Sequence, residues 1–320
     1  MSYEINKIAV IGAGMMGKMI AYVFASRYPV TICDIEPVDV AGDIRAATAE
    51  LMQKGALTAD ELDRRVSQIS FTRDMGDPGV SGADLIVEAV FEDMALKQKT
   101  FAQLERICRE DCIFCTNTSV MSPSEISGGL RRRERFAATH FWNPAHLIPL
   151  VEVVMSDATD DETARTIMDV LADVGKAPVL CKKDVPGFIA NRLQHALWRE
   201  AIYMVENGIA DPKTIDDACK FGPGLRWPVL GPLENSDLVG IELTLNIHDY
   251  ILKSLADNHE PSPLLRGMLD RGELGMKSGK GWQEWTKEQI DLINTGLREH
   301  LAEYNAREHL AANNAKRTET

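Results

Sequence analysis

A short segment near the N terminus, residues 7–34, constrains the fold of this chain more than any other feature. The apolar run 7–11 meets the glycine pattern Gly12-Ala-Gly-Met-Met-Gly17, after which a helical pattern begins. A second apolar run, Val30–Cys33, ends at Asp34. Strand, glycine turn, helix, strand and acid in this order predict a βαβ unit that binds a dinucleotide.

Each part of this pattern has its own physical reason. The first glycine permits a tight turn, the second lets a pyrophosphate approach the backbone, and the third lets the helix pack closely on the strand. The first helical turn then offers free N–H groups to the phosphates. The acid accepts from the ribose hydroxyls and repels a 2′-phosphate, so NAD is the expected cofactor; a glycine turn without a ligand is the alternative. The predicted cofactor-binding residues here are Gly12, Gly14, Met15, Met16, Gly17 and Asp34.

Apolar and helical patterns alternate along the rest of the first half. A Val-Pro-Gly break then comes at 185–187, and the chain beyond it is helical almost throughout. These patterns predict the α/β class, with a Rossmann-type doubly wound sheet followed by an all-α C-terminal domain. The further predicted strands span 83–90, 111–116, 135–139, 150–155 and 178–181.

The same patterns predict how the chain divides. Residues 1–184 form the NAD-binding domain, residues 185–285 the helical C-terminal domain, and residues 286–320 a polar helical tail. Within the first domain, residues 38–67 form a helical pair whose second member starts at a capping box, Thr58-Ala-Asp-Glu61. Two interpretations of this pair stay open, a border of a substrate site and a solvated excursion.

A glutamate inside an apolar β run indicates a functional site. Glu152 shares one face of the run 150–155 with aliphatic side chains, and a buried carboxylate needs a partner. The nearest candidate is His140, at the end of the preceding run. A histidine held by a carboxylate is a general base with its orienting group.

Polar residues follow three predicted strands at the edge where ligands bind in a doubly wound sheet, at 88–93, 117–119 and 140–143. Ser119 can hydrogen-bond a substrate oxygen, and Asn191 can act as a second donor from the long helix after the break. Each residue alone fits a structural role, such as a helix cap. Their convergence on one rim favours catalysis.

Charge and composition narrow the partners. The 320 residues carry a net charge of −13, which argues against nucleic acid or an anionic membrane as partner. No apolar run approaches the ~20 residues that cross a bilayer, and the N terminus does not resemble a signal peptide. Six cysteines suit a reducing compartment, so a cytoplasmic protein is expected. No metal site is expected, because no second cluster matches Cys108, Cys112 and Cys115.

Several motifs are similar to those of one family. The chain resembles the 3-hydroxyacyl-CoA dehydrogenase family over residues 5–285. The motifs are Ile11-Gly-Ala-Gly-Met-Met-Gly17, Val87-Glu-Ala-Val-Phe-Glu-Asp-Met-Ala-Leu-Lys97, Asn117-Thr-Ser119, His140-Phe-Trp-Asn-Pro144, Leu150-Val-Glu152, Asp184-Val-Pro-Gly-Phe-Ile-Ala-Asn-Arg192, Gly231-Pro-Leu-Glu234 and Gly275-Met-Lys-Ser-Gly-Lys-Gly281.

The resemblance implies a role for each matching position. His140 matches the catalytic base and Glu152 its orienting partner, while Ser119 and Asn191 match residues that contact the substrate oxygen. The helical second domain of the family commonly forms a dimer interface, so a homodimer through residues 185–285 is expected, and the same domain serves the substrate. The positions that match NAD contacts are Glu92, Lys97, Asn143 and Lys277.

Two departures from the family bear on the substrate. Trp142 stands where the usual motif has phenylalanine, and residues 144–149 are not the usual Pro-Val-Pro-Val-Met. The stretch 221–232 is longer than usual and is similar to the branch that oxidises free hydroxy acids, such as L-gulonate, carnitine or a pyridine carboxylate. Its Arg226 either binds a carboxylate as a fork or makes a salt bridge. Trp142 and Arg226 are the candidate substrate residues.

The predicted function is the NAD-dependent oxidation of a 3-hydroxyacyl substrate to its 3-oxo product, within fatty acid metabolism. The alternative is a dehydrogenase of a free hydroxy acid, with Arg226 on the carboxylate. A third hypothesis is an NAD(H)-binding protein without activity. Such a protein has no need of Ser119, His140, Glu152 and Asn191 together, since a pure binder moves no proton.

Overall fold

The structure is a computed structural model that describes residues 3–318, with side chains described over 3–307. Within this range the strands are β1 (Ile8–Ile11), β2 (Val30–Cys33), β3 (Ile69–Thr72), β4 (Leu85–Glu88), β5 (Ile113–Thr116), β6 (Phe136–Phe141), β7 (Leu150–Met155) and β8 (Ala177–Cys181). The helices are α1 (Met15–Phe24), α2 (Val40–Ala47), α3 (Ala49–Gln53), α4 (Ala59–Ser67), α5 (Pro78–Ser81), α6 (Met94–Ile107), α7 (Pro123–Ile126), α8 (Asp161–Asp173), α9 (Ala190–Glu206), α10 (Pro212–Phe221), α11 (Pro232–Val239), α12 (Ile241–Ile251), α13 (Pro263–Asp270) and α14 (Lys287–Thr318).

The strands form one sheet in the order β3-β2-β1-β4-β5-β6-β7-β8. Neighbouring strands are parallel except β6 and β7, which are antiparallel. The strand order reverses between β1 and β4, and ligands bind at the carboxyl ends of strands beside such a switch point. The predicted fold class is confirmed, although the sequence did not predict the antiparallel pair.

The central strands are buried because helices cover both faces of the sheet. Side chains alternate between faces along each strand, so β1 contributes Ile8 and Val10 to one apolar core and Ala9 and Ile11 to another. Parallel strands covered on both faces are apolar throughout, which is why the sequence marks them as continuous runs.

The region 38–67 differs from its prediction in one respect. It holds α2, α3 and α4, three helices rather than two. The capping box at the start of α4 is confirmed, because the Thr58 side chain accepts from Glu61 N and Glu61 bonds back to Thr58 N. The edge strand β3 was missed because it is short and only partly buried.

The chain forms two compact units. The first comprises residues 1–189 and 296–320, and the second comprises residues 190–295, where α9 to α13 lie. The predicted division at 184 and 285 stays a prediction. Among the described residues, no helix is both long and apolar enough to span a bilayer.

Residues 301–305 of α14 pack on the apolar core of the first unit, to which this part of the helix belongs. Ala302 is fully buried, and Leu301 packs against the main apolar core. Asn305 Nδ2 donates to the main-chain oxygen of Leu147 at 2.8 Å, and Lys54 pairs with Glu303 at 2.9 Å. This part of the helix therefore contacts the loop between β6 and β7.

Candidate active site

The glycine turn after β1 has the three properties that its pattern predicts. Gly12 has a φ of +105°, and a Cβ there would lie 2.7 Å from Ala89 O. A Cβ on Gly17 would lie 1.9 Å from Gly12 O, so only glycine lets α1 approach the strand this closely. A Cβ on Gly14 would meet nothing within 4 Å. The backbone at Gly14 is therefore open to a ligand.

The start of α1 and the end of β2 complete this cradle. No side chain caps the first turn of α1, which leaves its N–H groups for phosphate oxygens. Asp34 is held beside the turn, since its Oδ2 accepts from Ala13 N at 2.5 Å and its Oδ1 from Glu36 N at 3.0 Å. An anion-binding helix end with an acid next to it suits a dinucleotide whose ribose carries free hydroxyls.

His140 and Glu152 lie opposite each other on β6 and β7. Directly paired residues of antiparallel strands project from the same face, so the register itself brings the two side chains together. His140 Nδ1 lies 2.8 Å from Glu152 Oε2, and both side chains are buried. The pair that the sequence predicts is therefore in direct contact.

Other groups also donate to Glu152. Trp142 Nε1 donates to its Oε2 at 3.2 Å, and Ile189 N donates to its Oε1 at 2.8 Å. A buried carboxylate with a donor on each oxygen is fixed in position and orientation.

Two aromatic rings pack beside the imidazole of His140. The ring of Trp142 lies 5.5 Å away and that of Phe188 5.8 Å away, between centroids. Phe188 is buried and has a φ of +50°, which is uncommon for an aromatic residue. This left-handed turn presents the Phe188 ring to the imidazole and the Ile189 N–H to Glu152.

A second buried network lies at the carboxyl ends of β4 and β5. Lys97 and Glu88 are both fully buried, with Lys97 Nζ 2.8 Å from Glu88 Oε1 and 3.2 Å from Glu92 Oε2. Burial raises the pKa of Glu88, and the Lys97 charge opposes that rise. Glu92 Oε1 accepts from Ser119 N at 3.1 Å. The network therefore fixes the loop that carries Ser119.

A hydrogen bond joins the loop after β5 to the end of β6. Asn117 Oδ1 accepts from Phe141 N at 3.0 Å. Of the predicted rim residues, Ser119 follows β5, His140 lies near the end of β6 and Asn143 follows β6, so all three are at the joined ends of adjacent strands.

The remaining predicted site residues lie in the second unit. Asn191 is in the first turn of α9, where the ring of His195 packs against Trp198 at 4.9 Å. Arg226 is exposed and follows a short 3-10 turn. Lys277 lies in a turn closed by a bridge between Gly275 and Lys280.

Comparisons with known proteins decide the family. Residues 7–185 match the model of the 3-hydroxyacyl-CoA dehydrogenase NAD-binding domain, and residues 187–285 match that of the family's C-terminal domain. The chain belongs to the 3-hydroxyacyl-CoA dehydrogenase family. The predicted family, the NAD cofactor and the enzyme class are confirmed: the chain is an NAD-dependent dehydrogenase that acts on a CH–OH group.

Relatives of this family member carry names from two substrate classes. A probable 3-hydroxybutyryl-CoA dehydrogenase of Deinococcus radiodurans is 37% identical over 284 residues, which cover 87% of this chain and 100% of the relative. A 5-formyl-3-hydroxy-2-methylpyridine 4-carboxylate 5-dehydrogenase of Mesorhizobium japonicum is 32% identical over 290 residues, covering 90% of this chain and 94% of the relative. A solved structure of a dehydrogenase for that pyridine carboxylic acid has a TM-score of 0.84 at 30% identity, covering 93% of this chain and 97% of the other.

Sequence reasoning missed three contacts of the site. It did not anticipate the donors from Trp142 and Ile189 to Glu152, or the packing of Phe188 on His140. The signals available were the tryptophan in place of phenylalanine and the Pro-Gly turn before Phe188. Neither reveals its partner, because the Trp142 contact depends on the pairing of β6 with β7, and the contacts of Phe188 and Ile189 join segments far apart in the chain.

Proposed function

We propose that this family member oxidises the 3-hydroxyl of a 3-hydroxyacyl substrate to the 3-oxo group, with His140 as base and Glu152 as its orienting group. The observation that carries the proposal is the 2.8 Å hydrogen bond between His140 Nδ1 and Glu152 Oε2. NAD, when bound, supplies the acceptor for the hydride that leaves the substrate carbon.

The hydrogen bond decides which nitrogen of His140 handles the proton. When Nδ1–H donates to Glu152, the neutral ring keeps the lone pair of Nε2 for the substrate hydroxyl. Glu152 then lies beside the positive charge that the ring acquires, which stabilises the protonated state. Donation from Ile189 N keeps the carboxylate from turning away.

Two side chains are assigned to the substrate oxygen. The Ser119 hydroxyl donates to it, and the bond from Ser119 N to Glu92 supports that position. Asn191 is assigned the second donor on the strength of its place in the family motif. Donors aimed at an oxygen that gains double-bond character orient the reacting carbon.

The cofactor residues divide by the part of NAD they serve. Met15 and Met16 in the first turn of α1 hold the pyrophosphate with the glycine turn, and Asp34 holds the ribose. Glu92, Asn143 and Lys277 are assigned to the remainder of the cofactor. Lys97 is fully buried against two glutamates, so we assign it an indirect part, through Glu92.

A free hydroxy acid is the second candidate substrate. It is supported by the pyridine-carboxylate dehydrogenase relatives and by the half-buried indole of Trp142 beside His140. In this case the guanidinium of Arg226 binds the substrate carboxylate as a fork.

A homodimer through the second unit is part of the proposal. Neighbouring helices α11 and α12 expose large apolar side chains, among them Leu233, Leu238, Ile241 and Tyr250. Exposed apolar patches of this kind mark protein interfaces. The reactants we propose are small molecules, and the proposed compartment is the cytoplasm.

The substrate is tested by NADH absorbance with a panel of 3-hydroxyacyl-CoA esters, free 3-hydroxy acids and pyridine carboxylates. We expect the highest kcat/KM with an ester, and Arg226→Ala to leave the KM of that ester unchanged. A free acid as best substrate, with a KM that rises in Arg226→Ala and is not restored by Arg226→Lys, would favour the second candidate. No turnover across the panel would place the substrate outside both of these classes.

A further inference from the structure

Trp142 contacts the same oxygen as the imidazole of His140. Its indole Nε1 lies 3.2 Å from Glu152 Oε2, and His140 Nδ1 lies 2.8 Å from that atom. The indole N–H can only donate, so the direction of this bond is fixed. A phenylalanine at this position would have no donor to offer.

The surroundings of Glu152 make this additional donor significant. The carboxylate is fully buried on β7, with Val179 of β8 in register beside it and Ile189 N on its other oxygen. A carboxylate in such surroundings spreads its charge over its donors and has little bulk water to share it with. The indole and the imidazole therefore compete for the negative charge on Oε2.

We propose that Trp142 is a positioning residue of the dehydrogenase, whose indole N–H holds Glu152 Oε2 and divides its charge with His140. The inference rests on the proposed function, since it acts through the His140–Glu152 pair. It assigns Trp142 a role in holding the residue that orients the base, in addition to the substrate contact that the sequence suggests.

The consequence is a defined change in pH dependence. Removal of the indole N–H takes one donor away from Oε2, so more of its negative charge acts on the imidazole and the attraction for a protonated ring strengthens. The base of Trp142→Phe then stays protonated to higher pH. We expect the acid limb of the oxidation profile, plotted as kcat/KM, to move up by about one pH unit. In the reverse reaction the protonated ring donates, so the alkaline limb moves in the same direction.

The matched variant is Trp142→Gln. The glutamine Nε2 is separated from the backbone by the same number of bonds as the indole Nε1, so it restores a donor without the ring. We expect Trp142→Gln to return the midpoint of the profile towards wild type, although the ring is lost. Trp198→Phe, on α9 of the second unit, is the control for a tryptophan change elsewhere. If Trp142→Phe is unstable, Trp142→Leu replaces it in the comparison with Trp142→Gln.

A purely structural Trp142 gives a different result. Both Trp142→Phe and Trp142→Gln would then lose rate or thermal stability while the midpoints of their profiles stayed at the wild-type value, and that result would overturn the proposal. A profile that moves equally in both variants would overturn it too. The proposed function fails separately, if wild-type oxidation survives the loss of His140.

Discussion

At the scale of single residues, the same sequence signal marks two different kinds of site. Glu88 and Glu152 are both acids in apolar strands, and both are fully buried. Glu88 pairs with the ammonium of Lys97, whereas Glu152 pairs with the imidazole of His140. A free lysine has a pKa of about 10.4, whereas a free imidazole has a pKa of about 6.5 and can gain and lose a proton near neutral pH. The partner therefore distinguishes a structural ion pair from a pair suited to proton transfer.

His146, in the loop after β6, is expected to make stability depend on pH. Burial lowers its pKa to about 4, the nearby Lys176 also lowers it, and a hydrogen bond to Ala47 O opposes the change. An unfolded histidine has a pKa of about 6.5. Because the folded state binds the proton less readily, the contribution of His146 to stability is present above about pH 6.5 and is lost as pH falls towards 4.

We expect His146→Gln to remove that dependence. Between about pH 7 and about pH 5, the wild type should lose about 2 kcal/mol more unfolding free energy than the variant. Urea denaturation at both pH values measures the difference. Parallel losses in the two proteins would contradict the argument.

At the scale of elements, the sequence predicts what is local and leaves out what depends on distant segments. The strands β1, β4 and β5 were predictable because each is buried along its whole length and begins with three apolar residues. The partial burial of β3 leaves no such pattern. The apolar run of β7 does not reveal that the strand is antiparallel to β6, because a strand buries the same residues in either direction.

The site shows the same division. The His140–Glu152 contact was predictable because a buried acid demands a partner, and the neighbouring run ends in a histidine. The contribution of Phe188 was not, since a left-handed conformation at an aromatic residue contradicts local preference and is imposed by its surroundings.

Two glycines of the turn after β1 are expected to affect NAD binding and stability differently. A Cβ at Gly14 meets no protein atom within 4 Å, whereas a Cβ at Gly17 meets Gly12 O at 1.9 Å. We expect Gly14→Ala to keep the wild-type melting temperature and to weaken NAD binding by about tenfold or more, since the methyl occupies the approach of the pyrophosphate. Gly17→Ala should lower both the melting temperature and the affinity for NAD.

Calorimetric titration with NAD and thermal melts distinguish the two effects. Tight NAD binding by Gly14→Ala would show that the pyrophosphate does not approach the backbone at this glycine.

The packing of α14 at Ala302 is expected to contribute to stability. Ala302 is fully buried on the first unit, and its neighbour Glu303 lies at the surface. Ala302→Glu places a charge where it has no water, so we expect a loss of about 3 kcal/mol or more in unfolding free energy. Glu303→Gln is the matched control and should change stability little, because surface pairs contribute little.

Amide exchange reports where the loss occurs. Leu147 N and Ile148 N both donate to Pro144 O, and Asn305 bonds to the carbonyl of Leu147. Faster exchange at these amides in Ala302→Glu would show that α14 stabilises the loop after β6. Unchanged exchange together with unchanged stability would contradict it.

At the scale of the whole molecule, the two units contain different functional residues. The first contains the sheet, the glycine turn and the His140–Glu152 pair, and the second contains Asn191, for which we propose a substrate contact, and helices with exposed apolar side chains. Because α11 and α12 expose leucine and isoleucine side chains, we expect sedimentation at micromolar concentration to give twice the mass of one chain.

A charge on that surface is the test of the dimer. The double variant Leu238→Asp/Ile241→Asp should sediment as a monomer while its NAD affinity stays at the wild-type value. A monomeric wild type, or a variant that remains dimeric, would contradict an interface at α11 and α12.

The central claim is that His140 takes the substrate proton. The most direct measurement is the rate of NADH formation by His140→Ala with the best substrate of the panel, with NADH affinity determined by fluorescence titration. We expect turnover to fall by about a hundredfold to ten-thousandfold while NADH affinity stays near wild type, because the base acts on the substrate hydroxyl. His259→Ala, an exposed histidine of the second unit, should show wild-type turnover. Turnover of His140→Ala close to wild type would contradict the account.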